Sequence, residues 1–392
     1  MAREPYFDVG SLMTEARRTA GYDDWGDEDF RAPFERLIEA LNAEAELTPQ
    51  GLQRTKSYIL RMLVGRLRLY QDRKTYPGIT QEDIRAPLFI TGLGRSGTSY
   101  LNALFATDPH NHAPLHWQVW TLSPPPNHPA TDKAPQMESG EHLIRFEGWQ
   151  DPDMRDKHDF GGVAAAEDTL MQDYSFICRS AISYWDVPSY GAWLAQADFS
   201  ATYRLQRKIL QALQFGERRD RWVLKSPLHL RQLSYLFGEF PDARLIFNHR
   251  DPVKSLASAM SFVVALKKQF GNPYRPPDRS HALAMMEGSA ASLEGMIRRR
   301  ADPAVDRISV DVQYLDLEND PLGQVTKVYD HFGIELTDAA RKNMREYIVQ
   351  NRKGKLGVHR YDITDSGLKV GEVRERFKFY TDYFDVPYEV KS

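Results

Sequence analysis

The stretch Pro87-Leu88-Phe89-Ile90-Thr91-Gly92-Leu93-Gly94-Arg95-Ser96-Gly97-Thr98-Ser99 constrains the fold more than any other part of this 392-residue chain. Residues 88–91 are a short apolar run after a proline, the profile of a buried parallel strand. A glycine-rich turn comes next, and residues 99–106 read as a helix. Strand, glycine turn and helix start together make an anion pocket, because backbone N–H groups converge where the helix dipole is positive.

The details of the loop select the anion. Gly92-x-x-x-x-Gly97-Thr98-Ser99 keeps the spacing of a Walker A loop, but Thr98 stands where the nucleotide-triphosphate lysine belongs. Without that lysine the terminal phosphate of ATP loses its main cationic partner. The loop carries Arg95 instead, with hydroxyls on Ser96, Thr98 and Ser99, a set suited to a smaller oxyanion group. Taken alone, the same residues also describe a glycine-containing turn before a core helix.

The chain is long enough, and at 42% hydrophobic content apolar enough, to bury one large core with a helical accessory part. A net charge of −3 gives no nucleic-acid footprint over the whole surface, so no nucleic acid is expected among its partners. Cys178 is the only cysteine, which excludes an internal disulfide and a cysteine-based metal cluster. The first residues lack an apolar signal core and no run approaches membrane-spanning length. A cytoplasmic enzyme without an integral membrane segment is the expectation.

Residues 1–84 read as a helical N-terminal arm packed on the core. Phe34, Leu37, Ile38 and Leu41 share one face, and Thr48-Pro49 is a helix start with Thr48 as N-cap. The arm shows no chemistry; its apolar face would cover the core or a second copy of the chain, hence a possible homodimer. Residues 110–129, rich in proline, histidine and tryptophan, are expected as a stiff wall or lid rather than a helix. Residues 136–215 read as a mostly helical insertion on the acceptor side. Its aromatics Tyr184, Trp185, Tyr190 and Trp193 suit core packing or an acceptor-binding wall.

Two further strands, 221–225 and 243–249, end in Lys225-Ser226-Pro227 and Arg250-Asp251-Pro252, each leading into a helix. A fourth strand is expected near 307–311, with helices near 321–332 and 337–350. Parallel α/β sheets bind ligands beyond the C-terminal ends of their strands, so Lys225, Arg250 and the Arg95 loop should meet at one edge. Ser258 lies two helical turns after Arg250, and the two suit a second anion.

Together these residues resemble the sulfotransferases that use 3′-phosphoadenosine-5′-phosphosulfate (PAPS), in the bacterial branch with an Arg-Ser-Gly-Thr loop. The resemblance covers most of residues 85–365. It rests on Gly94-Arg95-Ser96-Gly97-Thr98-Ser99 as the 5′-phosphosulfate loop, Arg250 and Ser258 as the 3′-phosphate site, and Leu224-Lys225-Ser226-Pro227 between them. The segment Asn351-Arg352-Lys353-Gly354-Lys355 is similar to one that closes over the 3′-phosphate, which adds Arg352 and Lys355 to the binding residues. The implied fold is a P-loop-like α/β domain over 85–392, its mostly parallel sheet flanked by helices.

The implied activity is in-line transfer of a sulfonate group from PAPS to a hydroxyl or amine of a small apolar or aromatic acceptor. The product nucleotide would be adenosine 3′,5′-bisphosphate (PAP), and no metal is needed. Arg95 and Lys225 would stabilise charge on the leaving 5′-phosphate, with Thr98 and Ser99 holding it. The sequence departs from the family at the base. Pro227 occupies the place of a histidine in cytosolic members, and Gln118 the place of a carboxylate in other branches. His158, upstream of Ala166-Glu167-Asp168, is the first candidate and His116 the second, since an imidazole titrates near pH 6.5. His249 is expected to support Arg250 rather than react. The competing readings are a P-loop kinase or nucleotidase acting on ATP and a non-catalytic PAPS-binding scaffold.

Overall fold

The computed structural model describes residues 4–155, 157–272, 278–351 and 362–390. The chain forms two compact units: Met1–Ile84, Pro114–Arg218 and Ala265–Tyr274 in the first, Arg85–Ala113, Arg219–Val264 and Arg275–Ser392 in the second.

The second unit is built on a parallel sheet. Its strands are β1 (Leu88–Gly92), β2 (Asn111–His112), β3 (Arg221–Lys225), β4 (Arg244–His249) and β5 (Ser309–Gln313). Their order is β2-β3-β1-β4-β5, every pair parallel. β1 is central and wholly buried, as its unbroken apolar run requires of a strand covered on both faces. Side chains alternate across it. Leu88 and Ile90 join Leu101, Leu104, Phe105, Val223, Ile246 and Val310 in the core under one face. Phe89 points to the other, against His229 and Phe240.

The expected strands are all present, and the expected helices appear as Pro252–Gln269, Pro321–Phe332 and Asp338–Gln350. β2, the helix Arg279–Arg300 and the helix Val370–Tyr383 are among the elements with no assignment from sequence.

The first unit is helical, with Val9–Ala20, Arg31–Glu44, Pro49–Thr75, Lys133–Phe146 and Ser200–Gln214 as its longer helices. Thr48 caps the third, accepting the Gly51 N–H at 3.1 Å, with Pro49 in its first turn. Phe34, Leu37, Ile38 and Leu41 are all buried. Three of the insertion's aromatics, Tyr184, Trp185 and Tyr190, are core packing while Trp193 is half-buried; Tyr184 and Trp185 close on Tyr58 and Phe270, with ring centroids 5.0–5.8 Å apart. Trp117 and Trp120 are buried too.

One expectation needs correction. Residues 110–129 are not helix-free: His116–Trp120 form a helical turn. The Gln118 side chain accepts the Leu115 N–H at 3.0 Å, and Ala164 O and Gly162 O accept the N–H groups of His116 and Trp117 at 3.1 and 2.9 Å. Those partners satisfy amides that a turn this short leaves open. The prolines govern only the later part of the stretch, and residues 121–132 form neither helix nor strand.

Candidate active site

In the sheet unit, β1 and β4 lie side by side with Gly92 opposite Asn248, and β3 flanks β1 with Lys225 opposite Ile90. The connection after β1 leads toward β2 and that after β4 toward β5, on opposite sides of the sheet. Neighbouring strands whose connections diverge leave a crevice beyond their C-terminal ends.

The turn after β1 fills that position for steric reasons. A Cβ on Gly92 would lie 2.3 Å from the Asn248 carbonyl oxygen, and Gly97 holds a φ of 90° where a Cβ would press on the Tyr314 ring. Arg95 also takes a left-handed φ, 69°. At Gly94 a Cβ would meet no atom within 4 Å, so the cradle is open there. The helix Thr98–Ala106 starts directly after the turn and leaves its first N–H groups without intrahelical partners.

Three cations converge on this turn. The Lys225 ammonium, on a residue only 1% exposed, donates to Ser99 Oγ at 3.0 Å. Arg95 Nε donates to Ser258 Oγ at 3.1 Å, and its guanidinium lies 5.4 Å from the Phe262 ring centre. Arg250 Nη1 donates to the Arg95 carbonyl oxygen at 2.8 Å. Its guanidinium stacks 3.7 Å from the centre of the Tyr314 ring. Arg250 Nε and Nη2 form a two-pronged pair with Glu389, at 2.7 and 2.9 Å. Burial disfavours the Arg250 charge, but the Glu389 carboxylate outweighs it and holds the guanidinium pKa above its ordinary value.

Arg250 is braced from behind. Its backbone N–H donates to the Tyr380 hydroxyl at 3.3 Å; that hydroxyl lies 3.1 Å from His249 Nδ1, whose Nε2 lies 2.8 Å from Asp311 Oδ1. Arg300 pairs with Asp311 and Asp306. Burial lowers the His249 pKa although Asp311 opposes it, so the ring is neutral and carries its proton toward Asp311. A buried neutral imidazole with both nitrogens engaged orients its neighbours and does not act as a base.

Residues 87–338, well over half the chain, match the sulfotransferase family. The chain belongs to that family. Its fold superposes on a sulfotransferase of Mycobacterium tuberculosis, STF1, at 28% identity and a TM-score of 0.79, covering 96% of this chain and 99% of that one. It also superposes on STF9 of Mycobacterium avium at 24% identity and a TM-score of 0.85, over 98% of both chains. A curated relative, omega-hydroxy-beta-dihydromenaquinone-9 sulfotransferase Stf3 of Mycobacterium bovis, is 22% identical over 179 residues, and so is the same enzyme of Mycobacterium tuberculosis. The match spans 44% of this chain and 44% of the relative.

In this family member the sheet unit brings together Gly94, Arg95, Ser96, Gly97, Thr98, Ser99, Lys225, Arg250 and Ser258. Ser258 accepts from Arg95 Nε at this end of the site. The hydroxyls of Ser96 and Ser255 are buried without a hydrogen-bond partner among the described residues. With the open cradle at Gly94 and the cations, they make a donor set that fits a nucleotide carrying two anionic ends.

His116 and His158 belong to the helical unit. Their rings lie 6.3 Å apart, with Phe160 5.3 Å from His116 and 4.5 Å from His158. His116 is buried with Nδ1 3.2 Å from Gly161 O; His158 Nδ1 is 2.9 Å from Asp159 O. Arg352 and Lys355 lie outside the described residues. No group of three or more His, Cys, Asp or Glu side chains that could hold a metal occurs among the described residues, and no described helix is long and apolar enough to cross a membrane.

Sequence reasoning missed Tyr314 and Glu389. Tyr314 directly follows β5, so the strand-end rule that selected Lys225 and Arg250 would have found it. Glu389 belongs to no motif and reaches Arg250 only through tertiary structure.

Proposed function

We propose that this sulfotransferase takes PAPS as its donor and sulfonates a hydroxyl, or an amine, of a small apolar or aromatic acceptor. The convergence of Arg95, Lys225 and Arg250 at the ends of three adjacent parallel strands is the observation that carries the reading. The bound donor would supply an activated sulfonate group next to a phosphate. Lys225, Arg95 and the amides opening the helix Thr98–Ala106 hold the charge that grows on that phosphate as transfer proceeds. Thr98 and Ser99 orient it. Arg95 does not lose protons near neutral pH, so its part is electrostatic. Arg250, with Ser258 beside the neighbouring Arg95, takes the 3′-phosphate.

The relative named for an omega-hydroxy substrate supports a hydroxyl acceptor. The acceptor proton is assigned to His158, with His116 the alternative. In each ring an Nδ1–H donated to a carbonyl oxygen makes Nε2 the basic nitrogen.

The test is a thermal-shift titration with adenosine 3′,5′-bisphosphate and, separately, ATP with magnesium. A ligand that binds only the folded state at a hundredfold excess over Kd adds about 2.7 kcal/mol of stability. Stabilisation by the bisphosphate that disappears in Arg250→Ala is expected; stabilisation by ATP–magnesium alone would replace this reading with a kinase. Replacing the true base by alanine should lower kcat roughly 10²–10⁴-fold and leave bisphosphate binding intact.

A further inference from the structure

The partner of Arg250 is held by a purpose-built strap. Residues 386–390 leave the helix Val370–Tyr383 and return across the start of the helix Pro252–Gln269. Buried Asp251 accepts the Glu389 and Val390 N–H groups at 2.8 and 3.3 Å on one carboxylate oxygen. Its other oxygen accepts the Val253 N–H at 2.9 Å, so Asp251 cannot turn away. Arg374 donates to the Val390 carbonyl oxygen and lies 4.5 Å from the Tyr388 ring centre. Backbone and flanking side chains are anchored independently of the carboxylate between them. Glu389 is thereby aimed at Arg250.

A carboxylate in two-pronged contact with a guanidinium presents the same two oxygens, in the same plane, as a phosphate would. Nε and Nη2 of Arg250 are both committed to Glu389, and one Nη1 hydrogen is committed to the Arg95 carbonyl oxygen. The fork best suited to an incoming phosphate is therefore already filled. The two anions cannot share it: like charges a few ångströms apart at a largely buried site repel strongly. Tyr314 keeps the guanidinium plane fixed by stacking, so Arg250 cannot swing to a second anion while holding the first.

We propose that Glu389 is an intramolecular stand-in for the nucleotide 3′-phosphate, an autoinhibitory strap that the donor must displace from Arg250. The proposal rests on the assignment of Arg250 to the 3′-phosphate. Occupancy of the fork lowers the apparent affinity for any nucleotide bearing that phosphate by the fraction of molecules in which the fork is open. The same carboxylate returns to Arg250 when the bisphosphate product leaves. Nucleotides without a 3′-phosphate do not compete with it.

Calorimetric titration of the whole chain tests this with two probes, adenosine 3′,5′-bisphosphate and adenosine 5′-monophosphate. The proteins are the wild type, Glu389→Gln, Arg374→Ala and Arg250→Ala. Glu389→Gln keeps the side-chain shape and removes the charge; it should tighten bisphosphate binding about three- to thirtyfold and leave the monophosphate unchanged. Arg374→Ala, which loosens the strap without touching Arg250, should act in the same direction by a smaller factor. Unchanged or weaker bisphosphate binding in Glu389→Gln overturns the proposal and makes Glu389 a residue that orients Arg250. Failure of the underlying assignment looks different: Arg250→Ala would then bind the bisphosphate as tightly as the wild type.

Discussion

Two Arg–Glu pairs engaged through Nε, Arg61–Glu147 in the helical unit and Arg250–Glu389 in the sheet unit, sit in opposite surroundings. In the helical unit Arg61 and Glu147 are 3% and 0% exposed, with Nε to Oε1 at 3.2 Å. Glu147 also accepts from Trp120 Nε1, Trp149 Nε1 and Ser57 Oγ at 3.0, 3.2 and 3.3 Å. Arg61 donates to the Tyr174 hydroxyl at 3.2 Å, and its guanidinium lies 4.4 and 4.7 Å from the Tyr58 and Trp120 ring centres. In the sheet unit Arg250 and Glu389 are 17% and 14% exposed, and Glu389 sits on a strap rather than inside a layer of helices. The difference shows that pairing alone does not identify function. What distinguishes the pairs is the surroundings: Glu147 is sealed among indole donors, whereas Arg250 stands at a strand end with a partner that can leave.

The largest effect that would break this contrast is on stability. Removing one member of a fully buried pair strands the other charge, so Arg61→Ala should cost about 3–5 kcal/mol by urea unfolding. Arg61→Met combined with Glu147→Gln should recover part of that loss, since no bare charge remains. A cost under about 1 kcal/mol would place the two pairs in one class. Next in size is Lys225, a buried cation that donates to the Ser99 hydroxyl. On the proposed reading it faces the reacting phosphate, so its replacement by alanine should lower kcat about 10²–10³-fold while the Km for the acceptor moves little. An effect confined to Km would make Lys225 a binding residue only.

How much of this was legible beforehand depends on where along the chain the information resides. β1, its turn and the helix after it are specified by contiguous residues, and so are Lys225 and Arg250, each placed by the strand before it. β2 is two residues long and exists only because Asn111 and His112 pair with Arg221 and Trp222, which no periodicity reveals. The helix Arg279–Arg300 buries mostly small or flexible residues, Ala282, Met286, Ala290, Leu293 and Met296, and gives a weak apolar signal among charges. In the site the same division holds. The loop is local chemistry, whereas the Glu389–Arg250 contact spans 139 positions. The Pro-rich stretch misled because Gln118 and the carbonyls of residues 162 and 164 supply partners for a turn that the prolines alone would not support.

A smaller effect sharpens the picture of the sealed interior. Asp173 lies near Arg61, fully buried, accepting from the hydroxyls of Tyr58 and Ser180. Burial pushes its carboxyl up to about 6, against those hydrogen bonds and Arg61 and with the help of Glu167. A folded-state pKa above the unfolded value of 3.8 means that its stabilising contribution is complete below about pH 4 and is lost as pH rises through about 6. A displacement of that size corresponds to about 2–3 kcal/mol. Asp72 is pushed up to about 6 as well, and His249 contributes a slope of opposite sign, so the informative quantity is a difference. The stability of Asp173→Asn minus that of wild type should rise by about 2–3 kcal/mol from pH 4 to pH 7. A flat difference would show that Asp173 keeps its charge in the interior.

The smallest expected effect is the most telling one for the site. If the Arg250–Glu389 pair is releasable, removing Arg250 should scarcely change the fold. Glu389 would keep its backbone hydrogen bonds to Asp251 and turn its carboxylate to water, so no charge is stranded. Arg250 would forfeit its contact with the Arg95 carbonyl and the face of Tyr314, both near the opening of the turn and replaceable by solvent. The pair is mostly buried but has solvent at its edge, so Arg250→Ala should cost about 1–2 kcal/mol by urea unfolding at neutral pH, less than Arg61→Ala. A loss above about 2 kcal/mol would mean that Arg250 holds the unit together as Arg61 does. Glu389 would then be a permanent partner, and the fork would not be available to any phosphate.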